Sequence, residues 1–156
     1  MTYILGKKSL ANLEGVHPSL VSVVKLAIGM TTQDFTVYEG LRTLERQREL
    51  LRKGFSKTLH SKHLIQKDGF AHAVDLVPWI DGKPVWDWEG CYQIAFAVDK
   101  AAHKHGCADR IVWGGAWDRR LSDFGGSLPE YKEEVRLYKA RHPGPDFIDG
   151  PHFEWR

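Results

Sequence analysis

Two stretches constrain this chain more than any others: HSKHLIQKDGFAHAVDLVP at residues 60–78, and GPHFEW at residues 150–155. Ala73-Val74-Asp75-Leu76-Val77-Pro78 is apolar and β-branched and stops at a proline, which reads as a strand running into the core. Lys67-Asp68-Gly69 is a turn signal inside a loop over residues 61–70. Residues 151–155 read as a final strand, with His152-Phe153-Glu154-Trp155 alternating in character. Ligands on one helical face recur at three or four residues, so no helix can bring His63 and Asp75 together. One loop and two neighbouring antiparallel strands can, because facing positions on paired strands are close. The expectation is that His63, Asp75 and His152 bind a single Zn²⁺ and leave a position for water. Two imidazoles, a carboxylate and water form a ligand set of catalytic rather than structural zinc. Asp149, just ahead of His152, is the carboxylate expected to accept the proton of that water. His60 and His72 are the alternative imidazoles for the first position. His72 has odd parity relative to Asp75, which turns it to the other face of a strand.

A chain of 156 residues suits one domain, 1–156, with a real hydrophobic core. A hydrophobic content of 42% against 27% charged excludes disordered and fibrous classes. The net charge of +2 is compatible with an anionic polymer such as a bacterial cell wall. The basic residues are dispersed among acids instead of forming a stripe, which argues against nucleic-acid binding. Cys91 and Cys107 read as buried thiols without a disulfide framework. No signal-peptide pattern and no apolar run of membrane-spanning length is present, so the expectation is synthesis in the cytosol and no stable membrane insertion.

In chain order, Ser9 is a helix cap with Leu10 and Leu13 behind it. His17-Pro18-Ser19 opens a helix whose inner face is Leu20, Val23, Val24, Ala27 and Ile28. Residues 34–39 alternate as a strand, and Thr43 to Lys53 reads as a helix with a charged, solvated face. Arg42 lies at the junction between them. Its planar fork suits a substrate carboxylate or a developing oxyanion, with a surface salt bridge as the equal alternative. Asp81-Gly82 marks a hairpin tip. A helix follows from about Glu89 to His105, closed by His103 and His105, which suit the helix dipole. Residues 110–118 read as a strand ending in Gly114-Gly115, flanked by Trp113 and Trp117; aromatics there can wall a peptide groove. Residues 123–126 form a loop. Pro129 to Arg141 reads as a helix with Leu128, Val135 and Tyr138 inward, broken by His142-Pro143-Gly144-Pro145-Asp146.

Ser61-Lys62-His63, Ala71-His72-Ala73-Val74-Asp75 and Asp149-Gly150-Pro151-His152 together resemble the zinc D-alanyl-D-alanine carboxypeptidase and L-alanyl-D-glutamate peptidase family, in its phage endolysin branch. The family pattern is roughly S-x-H-x-x-G-x-A-x-D, later followed by [DE]-x-x-H. Residues 35–43 resemble its strand-and-arginine segment, and Trp113-Gly114-Gly115-Ala116-Trp117 resembles its W-G-G-D-W element. The chain departs from the pattern in two places. The loop between His63 and Asp75 is longer, with Ala71 at the family's glycine, and Ala116 replaces an aspartate. The resemblance implies an α+β fold of the hedgehog and DD-peptidase type: a small antiparallel sheet, helices packed on one face, and a zinc site in an open groove. It further implies one Zn²⁺ per chain, bacterial peptidoglycan as partner, a monomer, and action in the periplasm after release. Asp149 and Arg42 are the implied catalytic residues, and Arg42, Ser61 and Trp117 the substrate-binding ones. The expected reaction is hydrolysis of the L-alanyl-D-glutamate bond of the stem peptide. The alternatives are a D-Ala-D-Ala D,D-carboxypeptidase and a non-catalytic, zinc-stabilised wall-binding module.

Overall fold

The computed structural model describes residues 2–56, 58–144 and 147–156. Pro145 and Asp146, the end of the expected helix break, lie outside the described residues. In chain order the elements are α1 (Lys7–Asn12), α2 (Pro18–Ile28), β1 (Phe35–Glu39), α3 (Leu44–Arg52), β2 (Ala73–Ile80), β3 (Lys83–Pro84), α4 (Trp88–His105), β4 (Ile111–Trp113), α5 (Leu128–Arg141) and β5 (His152–Trp155). The sheet order is β1-β2-β5-β4, with β3 paired to β2. Every strand pairing is antiparallel.

Side-chain alternation makes the sheet two-faced. Phe35 and Val37, Val74 and Leu76, Ile111 and Trp113, and Phe153 and Trp155 all enter one hydrophobic core. That core is completed by Leu20, Val23, Val24, Ala27 and Ile28 of α2, together with Ile94, Ala95, Ala97, Val98, Ala101 and Ala102 of α4. The intervening residues Asp75 and Val77 of β2, and His152 and Glu154 of β5, line a cleft on the opposite face. Pairing of Val74 with Phe153 and of Asp75 with His152 fixes this register. A slip of one residue would send both polar side chains into the core.

The helix ends follow local chemistry. The Asp87 carboxylate caps α4 by accepting from the Gly90 N–H at 2.8 Å, and Gly106 closes it at φ 78°. Thr43 caps α3 through the Arg46 N–H, and His17 caps α2 through the Ser19 N–H. Asp81 and Gly82, at φ 53° and 76°, form the tip between β2 and β3, where both central residues need positive φ. Among the described residues no helix is long and apolar enough to cross a membrane.

Two sequence expectations need correction. Gly6, not Ser9, occupies the N-cap of α1. Ser9 is buried inside the helix, where its hydroxyl accepts from the Val37 N–H at 3.0 Å and ties α1 to β1. Leu10 is correspondingly exposed. On α5 the inward residues are Tyr131 and Val135, with Tyr138 half-buried against the core as expected, while Leu128 is exposed. Tyr131 donates a hydrogen bond to the buried Asp99 carboxylate of α4. Burial pushes the Asp99 carboxyl up, and that bond draws it partly back. The strand expected to end at Gly114-Gly115 spans Ile111–Trp113, and Gly114 turns the chain to meet the segment before β5.

Candidate active site

β1 leaves the sheet through a register shift between Val37 and Glu39 and leads into Gly40-Leu41-Arg42. Gly40 is packed so tightly that an added Cβ would lie 2.1 Å from the Asn12 carbonyl oxygen. This lets its own carbonyl accept from His63 Nδ1 at 2.8 Å. The Arg42 N–H donates to the His63 carbonyl at 2.8 Å, and the His63 N–H donates to Ser61 Oγ at 3.1 Å. Ser61 therefore holds the turn that presents His63.

A carbonyl only accepts, so the Nδ1 of His63 carries its hydrogen and Nε2 keeps its lone pair. Nε2 faces Asp75 Oδ1 at 3.2 Å. The same logic applies across the sheet. Glu154 Oε1 accepts from His152 Nε2 at 3.0 Å, which leaves His152 Nδ1 facing Asp75 Oδ1 at 3.2 Å. Arg156 Nε in turn donates to Glu154 at 2.8 Å. Donor atoms of His63, Asp75 and His152 all lie within 4.8 Å of one another, and the three residues form a group that can hold a metal ion. Both imidazoles are oriented by a second partner, as metal-ligating histidines are.

The electrostatics express the same demand for a cation. Burial opposes ionisation of Asp75, but the neighbouring His63 and the hydrogen bond from His152 prevail and hold its carboxyl well below the usual carboxylate range. Burial also opposes a charge on His152, yet its bonds to Asp75 and Glu154 push it up to about 10. A positive charge belongs between these groups, and a proton or a metal ion meets that need.

Asp149 lines the same cleft. Burial, then the charge of Asp75, pushes its carboxyl up to about 6, while His152, His63 and Arg42 pull the other way. A short turn places it. The Asp149 N–H donates to the Gly114 carbonyl at 2.9 Å, the His152 N–H to the Asp149 carbonyl at 3.1 Å, and the Gly114 N–H to the His152 carbonyl at 2.8 Å. Trp113 Nε1 adds a bond to the Gly150 carbonyl at 2.6 Å. A Cβ on Gly114 would lie 2.2 Å from the Asp149 carbonyl oxygen. Gly114→Ala is therefore expected to displace the Asp149–His152 turn, lowering Tm by several degrees and reducing metal affinity; thermal melts and a zinc titration check both.

The cleft has a volume of about 470 Å³, and Tyr38, Phe55, Trp86, Trp117 and Phe147 form its aromatic walls. Trp117 donates to the Phe147 carbonyl at 2.7 Å and tilts over His152, with ring centres 5.0 Å apart. Ala116 is fully buried. Arg42 reaches the cleft with its charge already engaged. Nε and Nη2 donate to Glu39, and Nη1 donates to Gln47 at 2.6 Å.

The remaining histidines are elsewhere. His60 lines the cleft but is exposed and outside the group of three. His72 bonds Asp68 at 2.7 Å and sits against His17, with ring centres 5.3 Å apart. His103 Nδ1 donates within its own helix to the Asp99 carbonyl, 2.9 Å away. Cys91 and Cys107 are free and buried, and burial pushes the Cys91 thiol up to about 12.

A sequence profile of the phage L-alanyl-D-glutamate peptidases matches residues 1–155. The chain belongs to the phage L-alanyl-D-glutamate peptidase family. Within similar proteins, the L-alanyl-D-glutamate peptidase of Escherichia phage T5 is 29% identical over 122 residues, which cover 76% of this chain and 84% of that protein. The crystal structure of the Serratia marcescens L-Ala D-Glu endopeptidase ChiX superposes with a TM-score of 0.67 at 35% identity, covering 96% of this chain and 87% of that one. The α+β architecture is thus shared with a solved endopeptidase, and this family member is a peptidase that acts on peptidoglycan.

Proposed function

We propose that this peptidase hydrolyses the L-alanyl-D-glutamate bond of peptidoglycan stem peptides with one Zn²⁺ held by His63, Asp75 and His152. The observation that carries the reading is the convergence of two imidazole nitrogens on one carboxylate oxygen, each ring oriented by a second partner on its other nitrogen. Zinc bonds of about 2.0–2.1 Å arranged tetrahedrally put neighbouring ligand atoms about 3.3 Å apart. The separations of 3.2 Å from Asp75 to each imidazole fit that figure. Three protein ligands leave a fourth position for water, the pattern of catalytic zinc.

When bound, the ion would lower the pKa of a coordinated water and polarise the scissile carbonyl. The chain's own residues do the rest. Asp149 takes the proton of the attacking water and passes it to the leaving amine of D-glutamate. A carboxyl pushed up to about 6 is matched to that exchange near neutral pH. Arg42 commits three of its five N–H donors to Glu39 and Gln47, which leaves two for the developing oxyanion or the substrate backbone. Ser61 acts as a support for His63, and Trp117 screens His152 from bulk water while walling the peptide groove. One chain supplies every group, so a monomer suffices, and the substrate sets the place of work at the cell wall.

The test is to measure metal content and bond cleavage on one purified sample digesting intact sacculi. The expected result is about one zinc per chain, new D-glutamyl N-termini, and loss of both activity and metal after chelation. Release of free D-alanine would instead make the enzyme a D,D-carboxypeptidase. Stoichiometric zinc without any new terminus would make it a binding module.

A further inference from the structure

The cleft is rich in acids that already have partners. Asp75 is held by His63 and His152, and Glu154 by His152 and Arg156. Arg42 is neutralised by Glu39, and its side chain is 11 % exposed. One cation in the lining is different. Lys62 is half-buried at the cleft wall, and among the described residues it has no acidic partner. Its backbone is fixed on both sides. The Lys62 carbonyl accepts from the His72 N–H at 2.7 Å, and the next residue is His63, whose N–H is held by Ser61. Lys62 thus lines the cleft on a pinned turn, next in sequence to a ligand candidate.

The substrate supplies the missing anion. D-glutamate joined through its nitrogen carries two carboxyl groups, and extension of the stem consumes only one. The other stays within a few bonds of the scissile amide and is charged at neutral pH. Bringing it into a cleft that already holds Asp75 and Asp149 is costly unless a cation meets it. We propose that Lys62 binds this free carboxylate of the D-glutamyl residue and so makes the enzyme selective for unamidated stem peptides. The assignment rests on the peptidase reading above and adds the group that distinguishes a glutamyl from an isoglutaminyl substrate. Lys62 acts on binding. Its contribution falls on KM and on the choice between substrates, while the metal ligands and Asp149 are untouched.

The experiment compares a stem peptide carrying the free carboxylate with the same peptide amidated at that position, using wild type, Lys62→Gln and Lys62→Arg at full zinc occupancy. Removing a charge-assisted hydrogen bond of this kind is expected to raise KM for the carboxylate peptide about tenfold or more. Lys62→Gln is expected to leave kcat and the amidated peptide almost unchanged, and Lys62→Arg to restore most of the preference. Equal discrimination by wild type and Lys62→Gln overturns the assignment and leaves the peptidase reading standing, as does an equal loss on both peptides. Cleavage of neither peptide by wild type overturns both.

Discussion

His152→Ala is expected to lose bound zinc and peptidoglycan cleavage together. The residue carries more of the site than its single ligand atom suggests. Its Nδ1 faces Asp75, its Nε2 is fixed by Glu154, its backbone closes the turn with Asp149 and Gly114, and Trp117 packs on its ring. Removing the imidazole leaves Asp75 with His63 alone, and two protein ligands fall short of the three that a catalytic zinc site uses. Loss of an outer partner alone typically costs about 10–100-fold in metal affinity or activity, and loss of a ligand should exceed that. Zinc quantified after dialysis, with turbidity loss of sacculi on the same sample, checks the outcome. A variant that retains one equivalent of zinc would show that the ion sits elsewhere and remove the basis of the mechanism.

Asp149→Asn separates chemistry from metal binding. The side chain keeps its shape, and the turn that holds it is made by backbone atoms of Asp149, Gly114 and His152, so zinc should stay bound. Without a group that accepts the proton of water, kcat should fall by about 10²–10⁴, the range for loss of a general base. The pH profile carries a second signature. Burial and the Asp75 charge raise the Asp149 carboxyl to about 6, so acid protonates it and switches the base off. Activity therefore rises as pH increases through that value, and a cation in the cluster moves the midpoint lower by favouring the ionised form. The acid limb should disappear in Asp149→Asn. An unchanged rate would assign the base to another group in the cleft.

The site was partly legible because its residues follow local rules. Asp75 falls on a segment that only a strand explains, and His152 falls on an alternating one. The parity of His72 relative to Asp75 turned it away from the cleft, and in the structure it meets Asp68 and His17 instead. Other features depend on contacts between distant segments that periodicity does not encode. Glu154 looks like one more alternating residue until pairing of β2 with β5 brings it beside His152. The salt-bridge reading of Arg42 is the one the contacts bear out, since Glu39 and Gln47 bind its fork, while its substrate role stays a proposal for a residue that lines the cleft. Ser9 has the chemistry of a cap, yet its hydroxyl serves β1, a partner many residues away. Tyr131 has no local signal on a helix with a charged surface, because its Asp99 partner belongs to α4. The strand after Arg110 does end at the Gly114-Gly115 signal, and the contact of Gly114 with the Asp149 carbonyl shows why no side chain fits there.

The order of the strands has a consequence for how such a protein comes into being. β5 lies between β2 and β4, so the last strand in the chain is the one that joins the two halves of the sheet. Asp75 and His152 are separated by 77 residues and meet only through that insertion. A polypeptide still emerging from the ribosome, or one clipped ahead of residue 152, has neither a joined sheet nor a complete ligand set. Joining of the sheet and completion of the candidate metal cluster are thus one event.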